Sequence, residues 1–416
     1  MTDYTKIFKS IRNASKNVIQ LSDEKRNEIL LHLASIIDQN HPEILKANAL
    51  DLSRMNPENP LYDRLQLTPS RLEGISKALR EVAALPSPLG EVMEERILPN
   101  GINLKKVRVP YGVVGMIYEA RPNVTYDVFA LCLKSGNASV LKGGRDADDS
   151  NKMAISLIHK ALKDCGVDEE ACILLPSDHE STEALLNAVG FVDVCIPRGG
   201  RKLIDFVRDN ARVPVIETGA GVVHTYFDKD GNIEIGRSVI DNGKTRRVSV
   251  CNALDTLLIH KSRLDELFSL IEPLAKKAVE LHVDKPVFES LKNKYPDSLL
   301  LEAAPEDPTK EWMDMKMGIY MVNSVDEAID HIDSYGSGHS ESIVTENKDT
   351  AEKFCKCVDA SSVYVNLPTS FTDGGEFGLG AEIGISTQKL GPRGPMGLRE
   401  ITTYKYILTG RGQIRP

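Results

Sequence analysis

The stretch VVGMIYEARPNVTYDVFALCLKSGNASVLK, residues 113–142, decides the fold. It opens with a strand-like apolar run at Val113–Ile117, passes into helical spacing over 124–134, and returns to an apolar run, ASVLK, at 138–142. The alternation then continues. A helix pattern over 151–163 leads to CILLP at 172–176, a helix near 180–189 to VDVCI at 192–196, and a helix near 201–211 to VPVIE at 213–217. Such a βαβαβ series predicts a parallel sheet covered on both faces, with ligands at its strand carboxyl ends.

Upstream, apolar residues recur at helical spacing from about residue 4 to 85, as in EKRNEILLHLASIIDQ. An Asn100-Gly101 turn between two β-prone runs then predicts a hairpin that projects for oligomerisation. Downstream, the segment from about 235 to 365 repeats the α/β alternation and predicts a second domain. The tail is Gly-rich and ends in the strand-like TTYKYILTG.

The chain has 416 residues, too many for one ordinary core. Its 27% charged and 41% hydrophobic residues are those of a soluble globular protein, and a net charge of −9 argues against general nucleic-acid binding. The seven cysteines are odd in number and scattered, without metal-type spacing, so the chain is read as reduced, cytoplasmic and free of a metal site. The N-terminal segment has no secretory pattern, and no apolar run reaches the length of a membrane span.

Five stretches carry candidate chemistry. Cys251 follows Lys244, Arg246 and Arg247 closely, and positive charge is what turns a thiol into a nucleophile; the alternative is a buried, inert thiol. In SVLKGGRDADDSN a β-run ends in Lys142-Gly143-Gly144-Arg145 ahead of a helix, a setting for a phosphate-bearing cofactor or simply a glycine turn with solvated cations. IPRGGRKLI places Gly199 and Gly200 in a second such turn, and both lack the G-x-G-x-x-G fingerprint. In EARPNVTYD, Asn123 has the amide an oxyanion needs and Arg121 the guanidinium a carboxylate or phosphate needs; a Pro-led helix start is the other reading. His339, Ser340 and Glu341 in YGSGHSESI are read as a Gly-rich loop that grips an amino acid or makes a polar turn.

Taken in order, VRVPYGVVGMIYEARPNVTYD, LCLKSGNASVLKGG, IPRGGRKLI, VCNALDTLL, AIDHIDSYGSGHSESIVTE and FTDGGEFGLGAEIGISTQKLGPRGPMGL closely resemble the γ-glutamyl phosphate reductase family, a branch of the aldehyde dehydrogenase superfamily. The resemblance implies an aldehyde-dehydrogenase-like α/β fold: an NADPH-binding domain at 1–94 and 112–228, a catalytic domain at 229–370, an oligomerisation element at 95–111 and 398–416, and a connecting segment at 371–397. It implies NADPH-dependent reduction of L-glutamyl 5-phosphate to L-glutamate 5-semialdehyde, the second step of proline synthesis from glutamate. Cys251 falls on the family's nucleophile and Asn123 on its oxyanion amide. Lys142 falls on the position that meets the adenosine ribose, with Gly143 beside it as a cofactor contact, and Gly199 and Gly200 fall near the pyrophosphate; Arg145, where the family often has a small residue, is assigned to a 2′-phosphate by its charge and not by the motif. Arg121 and Arg247 are left to hold the substrate's anion, with His339, Ser340 and Glu341 as further substrate contacts. A homo-oligomer is expected, and association with glutamate 5-kinase is a further implied partnership.

Departures from the family pattern sit close to these residues. Ser370 stands where an arginine is usual, Val223 where a cysteine is common, and Val248-Ser249 where Pro-Gly often precedes the nucleophile. The rival activity is a hydrolytic aldehyde dehydrogenase with Glu217 as base, and the rival class is a non-catalytic scaffold for the kinase.

Overall fold

The structure, a computed structural model, describes residues 3–59, 62–219 and 221–415. Two compact units result, one formed by Met1–Thr218, Gly378–Gly384 and Met396–Pro416, the other by Gly219–Phe377 and Ile385–Pro395.

The first unit begins with α1 (Tyr4–Val18), α2 (Asp23–Gln39), α3 (His41–Leu52), α4 (Tyr62–Leu65) and α5 (Pro69–Ala84). Ser22 and Thr68 start α2 and α5 by accepting the backbone N–H groups of Lys25 and Arg71, each three residues on. Strands β1 (Val92–Ile97) and β2 (Asn103–Pro110) form the expected hairpin, tightened by the Leu98 N–H donating to the Ile102 carbonyl at 2.8 Å. Gly101 occupies φ 81° in that turn, a conformation glycine adopts without steric cost. The strand Thr402–Thr409 pairs antiparallel with β2, giving a three-stranded sheet that leaves Ile97, Tyr406 and Leu408 exposed.

Next come β3 (Val113–Tyr118), α6 (Asn123–Lys134), β4 (Ala138–Gly143), α7 (Asp148–Asp164), β5 (Cys172–Leu174), α8 (His179–Leu186), β6 (Val194–Arg198) and α9 (Arg201–Asn210). The sheet is parallel, in the order β5-β4-β3-β6, and β3 and β4 are buried along their whole length. A continuous apolar run is therefore the correct signature for both. The run at 213–217 differs from expectation. It makes one bridge, Cys195 with Val215, since Pro214 has no N–H to continue a ladder.

The second unit alternates β7 (His224–Phe227), α10 (Ile233–Thr245), β8 (Thr256–His260), α11 (Leu267–Lys276), β9 (Glu280–Val283), α12 (Lys285–Leu291), β10 (Leu300–Glu302), β11 (Lys316–Val322), α13 (Val325–Tyr335), β12 (Ser340–Val344), α14 (Lys348–Cys357) and β13 (Ser362–Val365). Its sheet is parallel, ordered β10-β9-β11-β8-β7-β12-β13. Because β7 pairs with β8 and β12, the chain passes into this unit at Gly219 rather than after residue 228. The Gly-rich segment predicted as a single connection is divided, with Ile385–Pro395 in this unit and Gly378–Gly384 in the first.

Candidate active site

Cys251 sits on a turn between α10 and β8, at the amino-terminal edge of the second unit's sheet. The Ala253 N–H donates to the Val250 carbonyl at 3.1 Å and closes the turn, and the Leu254 N–H donates to the Gly243 carbonyl at 3.0 Å, fastening its exit to α10. Asn252 anchors the apex: its Nδ2 donates to the carbonyls of Ser370 (3.3 Å) and Thr372 (3.0 Å), and its own carbonyl accepts the Thr369 hydroxyl at 2.9 Å. On the other side lies Gly221, where a Cβ would stand 1.7 Å from the Cys251 carbonyl oxygen. The Gly221 N–H donates to Glu311 Oε1 at 3.1 Å. Cys251 is partly accessible, whereas Cys132, Cys172 and Cys195 are buried, and burial pushes the Cys172 and Cys195 thiols up to about 12.

Of the basic residues ahead of Cys251, Arg246 and Arg247 are exposed and Lys244 is fully buried. Ser370, in the position of the family's arginine, donates its hydroxyl to Asn242 Oδ1 at 2.8 Å.

In the first unit, Lys142 and Gly143 end β4, and a cleft of about 590 Å3 lies beyond, lined among others by Arg145, Lys152, His159, Pro176 and Asp178. Lys142 is nearly buried; desolvation lowers its pKa, while Asp178 acts in the opposite sense. Lys152 donates to Asp148 at 2.6 Å, which leaves Arg145 as the cation on the cleft's lining that has no such acidic partner among the described residues. Gly143 answers a packing demand: a Cβ there would stand 2.2 Å from Asn151 Nδ2. Gly199 and Gly200 are exposed ahead of α9, and the Gly200 N–H donates to the Glu119 carboxylate at 3.0 Å. The cleft wall, from His159 through Asp178, gave no signal in the sequence because apolar and ordinary polar residues assemble it from separate elements.

Asn123 is the first residue of α6, and its Nδ2 donates to Asp127 Oδ2 at 2.9 Å. That bond fixes the amide and leaves its second N–H for another acceptor. Desolvation raises the Asp127 carboxyl, with Arg198 and Asn123 opposing the shift. Arg121 lies in the turn just ahead of α6. Glu217 is placed 3.7 Å from Arg208 on α9.

His339, Ser340 and Glu341 call for a correction. The expected Gly-rich loop ends before Ser340, which begins β12, an inner strand of the sheet, and all three side chains are fully buried. Glu341 Oε2 accepts the backbone N–H of His224 at 2.9 Å and lies 3.0 Å from its Nδ1; Ser340 shares a 2.6 Å hydrogen bond with Thr372. Glu341 Oε2 and the Ser340 hydroxyl find partners 117 and 32 residues away, which a local reading of HSES as a turn does not see, while His339 Nε2 and Glu341 Oε1 are buried without a hydrogen-bond partner among the described residues.

Comparison with known proteins agrees with this architecture. The sequence model of the aldehyde dehydrogenase family matches residues 1–293. Over 412 residues, 99% of each chain, the protein is 56% identical to a γ-glutamyl phosphate reductase of Pelodictyon phaeoclathratiforme, and it is 53% identical to one of Bacteroides thetaiotaomicron over 414 residues. Among solved structures it superposes on the γ-glutamyl phosphate reductase of Thermotoga maritima with a TM-score of 0.95 at 39% identity, covering 100% of both chains. A glyceraldehyde-3-phosphate dehydrogenase of Methanocaldococcus jannaschii complexed with NADP shares the fold at a TM-score of 0.70 and 18% identity. The chain belongs to the aldehyde dehydrogenase family, in its γ-glutamyl phosphate reductase branch. It is an oxidoreductase with the aldehyde-dehydrogenase-like α/β fold.

Proposed function

We propose that the protein reduces L-glutamyl 5-phosphate to L-glutamate 5-semialdehyde and phosphate with NADPH, through a thioester on Cys251. The observation that carries this reading is the 56% identity to a γ-glutamyl phosphate reductase along essentially the whole chain. The Cys251 turn supports it. It presents an accessible thiol and holds the residues on either side by backbone hydrogen bonds, which favours one approach geometry.

In the reaction the Cys251 thiolate forms a bond to the acyl carbon, and the carbon–oxygen bond to phosphate breaks, leaving a γ-glutamyl thioester. After reduction the carbon–sulfur bond breaks, the aldehyde leaves and the thiolate is regenerated. The amide of Asn123 is assigned to the negative oxygen of the tetrahedral states.

The first unit's residues fit a phosphorylated dinucleotide. The cleft has apolar walls at Ile155, Ile173 and Pro176 for a flat base, and Arg145 at its lining for an added phosphate. Lys142 would meet the ribose, and the Gly200 amide the pyrophosphate. When bound, NADPH supplies the hydride. The exposed apolar residues of the three-stranded sheet support a role as an oligomerisation surface.

Cys251→Ala and a phosphate test decide the matter. The variant is expected to fold, to bind NADPH and to lose turnover. In the reverse direction, semialdehyde oxidation is expected to need phosphate or arsenate. Turnover that proceeds equally well without them would replace this reading with hydrolytic oxidation.

A further inference from the structure

We infer that Lys244 and Asp255 form a buried clamp at the base of the nucleophile's turn and act as positioning residues for Cys251, an inference that rests on Cys251 being the nucleophile. The segment 246–255 leaves α10 and returns to the sheet at β8. Its two ends meet where the Leu254 N–H donates to the Gly243 carbonyl at 3.0 Å. Lys244 follows one partner of that bond and Asp255 the other, so both side chains start from the point where the loop closes. Lys244 is fully buried and Asp255 is 2% exposed.

Asp255 ties together the segments that surround Cys251. Its Oδ1 accepts the Trp312 N–H at 2.9 Å and its Oδ2 the Val223 N–H at 3.3 Å. Val223 lies two residues beyond Gly221, which packs against the Cys251 carbonyl, and Trp312 follows Glu311, which accepts the Gly221 N–H at 3.1 Å. One carboxylate thus holds residues 221–223 and 311–312 against the loop whose own end it forms.

A buried carboxylate needs a compensating charge. Lys244 is the buried cation placed at the other end of the same closure: its Nζ makes no hydrogen bond among the described residues, and the carboxylates that act on its charge are Asp255 first and Asp314 second. Desolvation pushes the Lys244 ammonium down and the Asp255 carboxyl up, and each partner's charge counters the other's shift.

The test uses Lys244→Met, Asp255→Asn and the double variant in the full chain, with three readouts: kcat, KM for NADPH, and the rate at which iodoacetamide alkylates Cys251. Each single variant is expected to lower kcat about tenfold and to change the alkylation rate at least threefold, with KM for NADPH unchanged. The double variant, which removes both charges at similar volume, is expected to recover most of both. Folded single variants with kcat and alkylation at the wild-type level would overturn the clamp, and so would a double variant no better than the worse single. If Asp255→Asn does not fold, Lys244→Met against the double variant makes the same comparison. Cys251→Ala separates the two ideas: activity surviving in it removes the nucleophile reading, whereas an unresponsive alkylation rate in the single variants removes only the clamp.

Discussion

The carboxylate of Glu119 accepts the backbone N–H of Gly200 at 3.0 Å, where α9 begins. An anion at a helix N-terminus is stabilised by the exposed N–H groups and the helix dipole. The other comparable terminus of this unit, that of α7, is closed more firmly. There the buried Asp51 accepts the N–H groups of Asp149 (3.1 Å) and Ser150 (2.8 Å). Glu119 is exposed and makes one such bond, so a pyrophosphate that takes the Gly200 amide displaces it and meets its charge. Glu119→Gln is therefore expected to tighten NADPH binding about two- to fivefold, the scale of one surface charge at a helix end. A fluorescence titration of NADPH measures this, and a weaker Kd would show that Glu119 assists the cofactor.

Gly221 lends itself to a sharper test at the nucleophile. A Cβ there would fall 1.7 Å from the Cys251 carbonyl oxygen, well inside any tolerated contact, so the turn or the lead-in to β7 has to shift. A misplacement of about 1 Å costs on the order of 10²-fold in rate. Gly221→Ala is expected to lower kcat by about that factor with NADPH affinity unchanged. Full activity in this variant would mean that the turn is free to move.

Glu341 separates a structural role from substrate contact. It is fully buried and accepts the His224 backbone N–H, and removing a buried acceptor so that its donor is left unsatisfied costs about 1–3 kcal/mol. Glu341→Ala is expected to lose that much in urea unfolding, with KM for the acyl phosphate unchanged in the folded fraction. A raised KM at wild-type stability would return Glu341 to the substrate.

What the sequence makes legible follows from how locally each feature is determined. Strands β3 and β4 are apolar throughout because both faces are covered, and the hairpin announces itself through Gly101 at positive φ. Cys251 stands out from Cys132, Cys172 and Cys195 because those three lie within apolar runs and it follows a basic stretch. The strand character of Ser340 and Glu341 is not local, since it depends on His224 and Thr372 arriving from elsewhere in the chain. For the same reason the sequence shows Lys244 only as positive charge close to Cys251, whereas in the fold it is fully buried.

Acid sensitivity follows from two histidines, His339, which is fully buried, and His331, which is half-buried. Desolvation pushes His339 down to about 4 and His331 to about 3, with the His224 charge adding to the latter. An unfolded histidine titrates near 6.5. Between that value and about 4 the unfolded chain binds more protons than the folded one, so stability rises with pH across this window. The contribution is fully present above about 6.5 and is lost as pH falls toward 4. Glu341 works the other way. Its carboxyl is raised by burial, so it favours the folded state in acid and offsets part of the loss. The Tm is expected to fall between pH 7 and pH 5, and His339→Asn, which cannot take up the proton, is expected to show a shallower fall. Parallel curves for the two proteins would remove His339 as a source of the acid response.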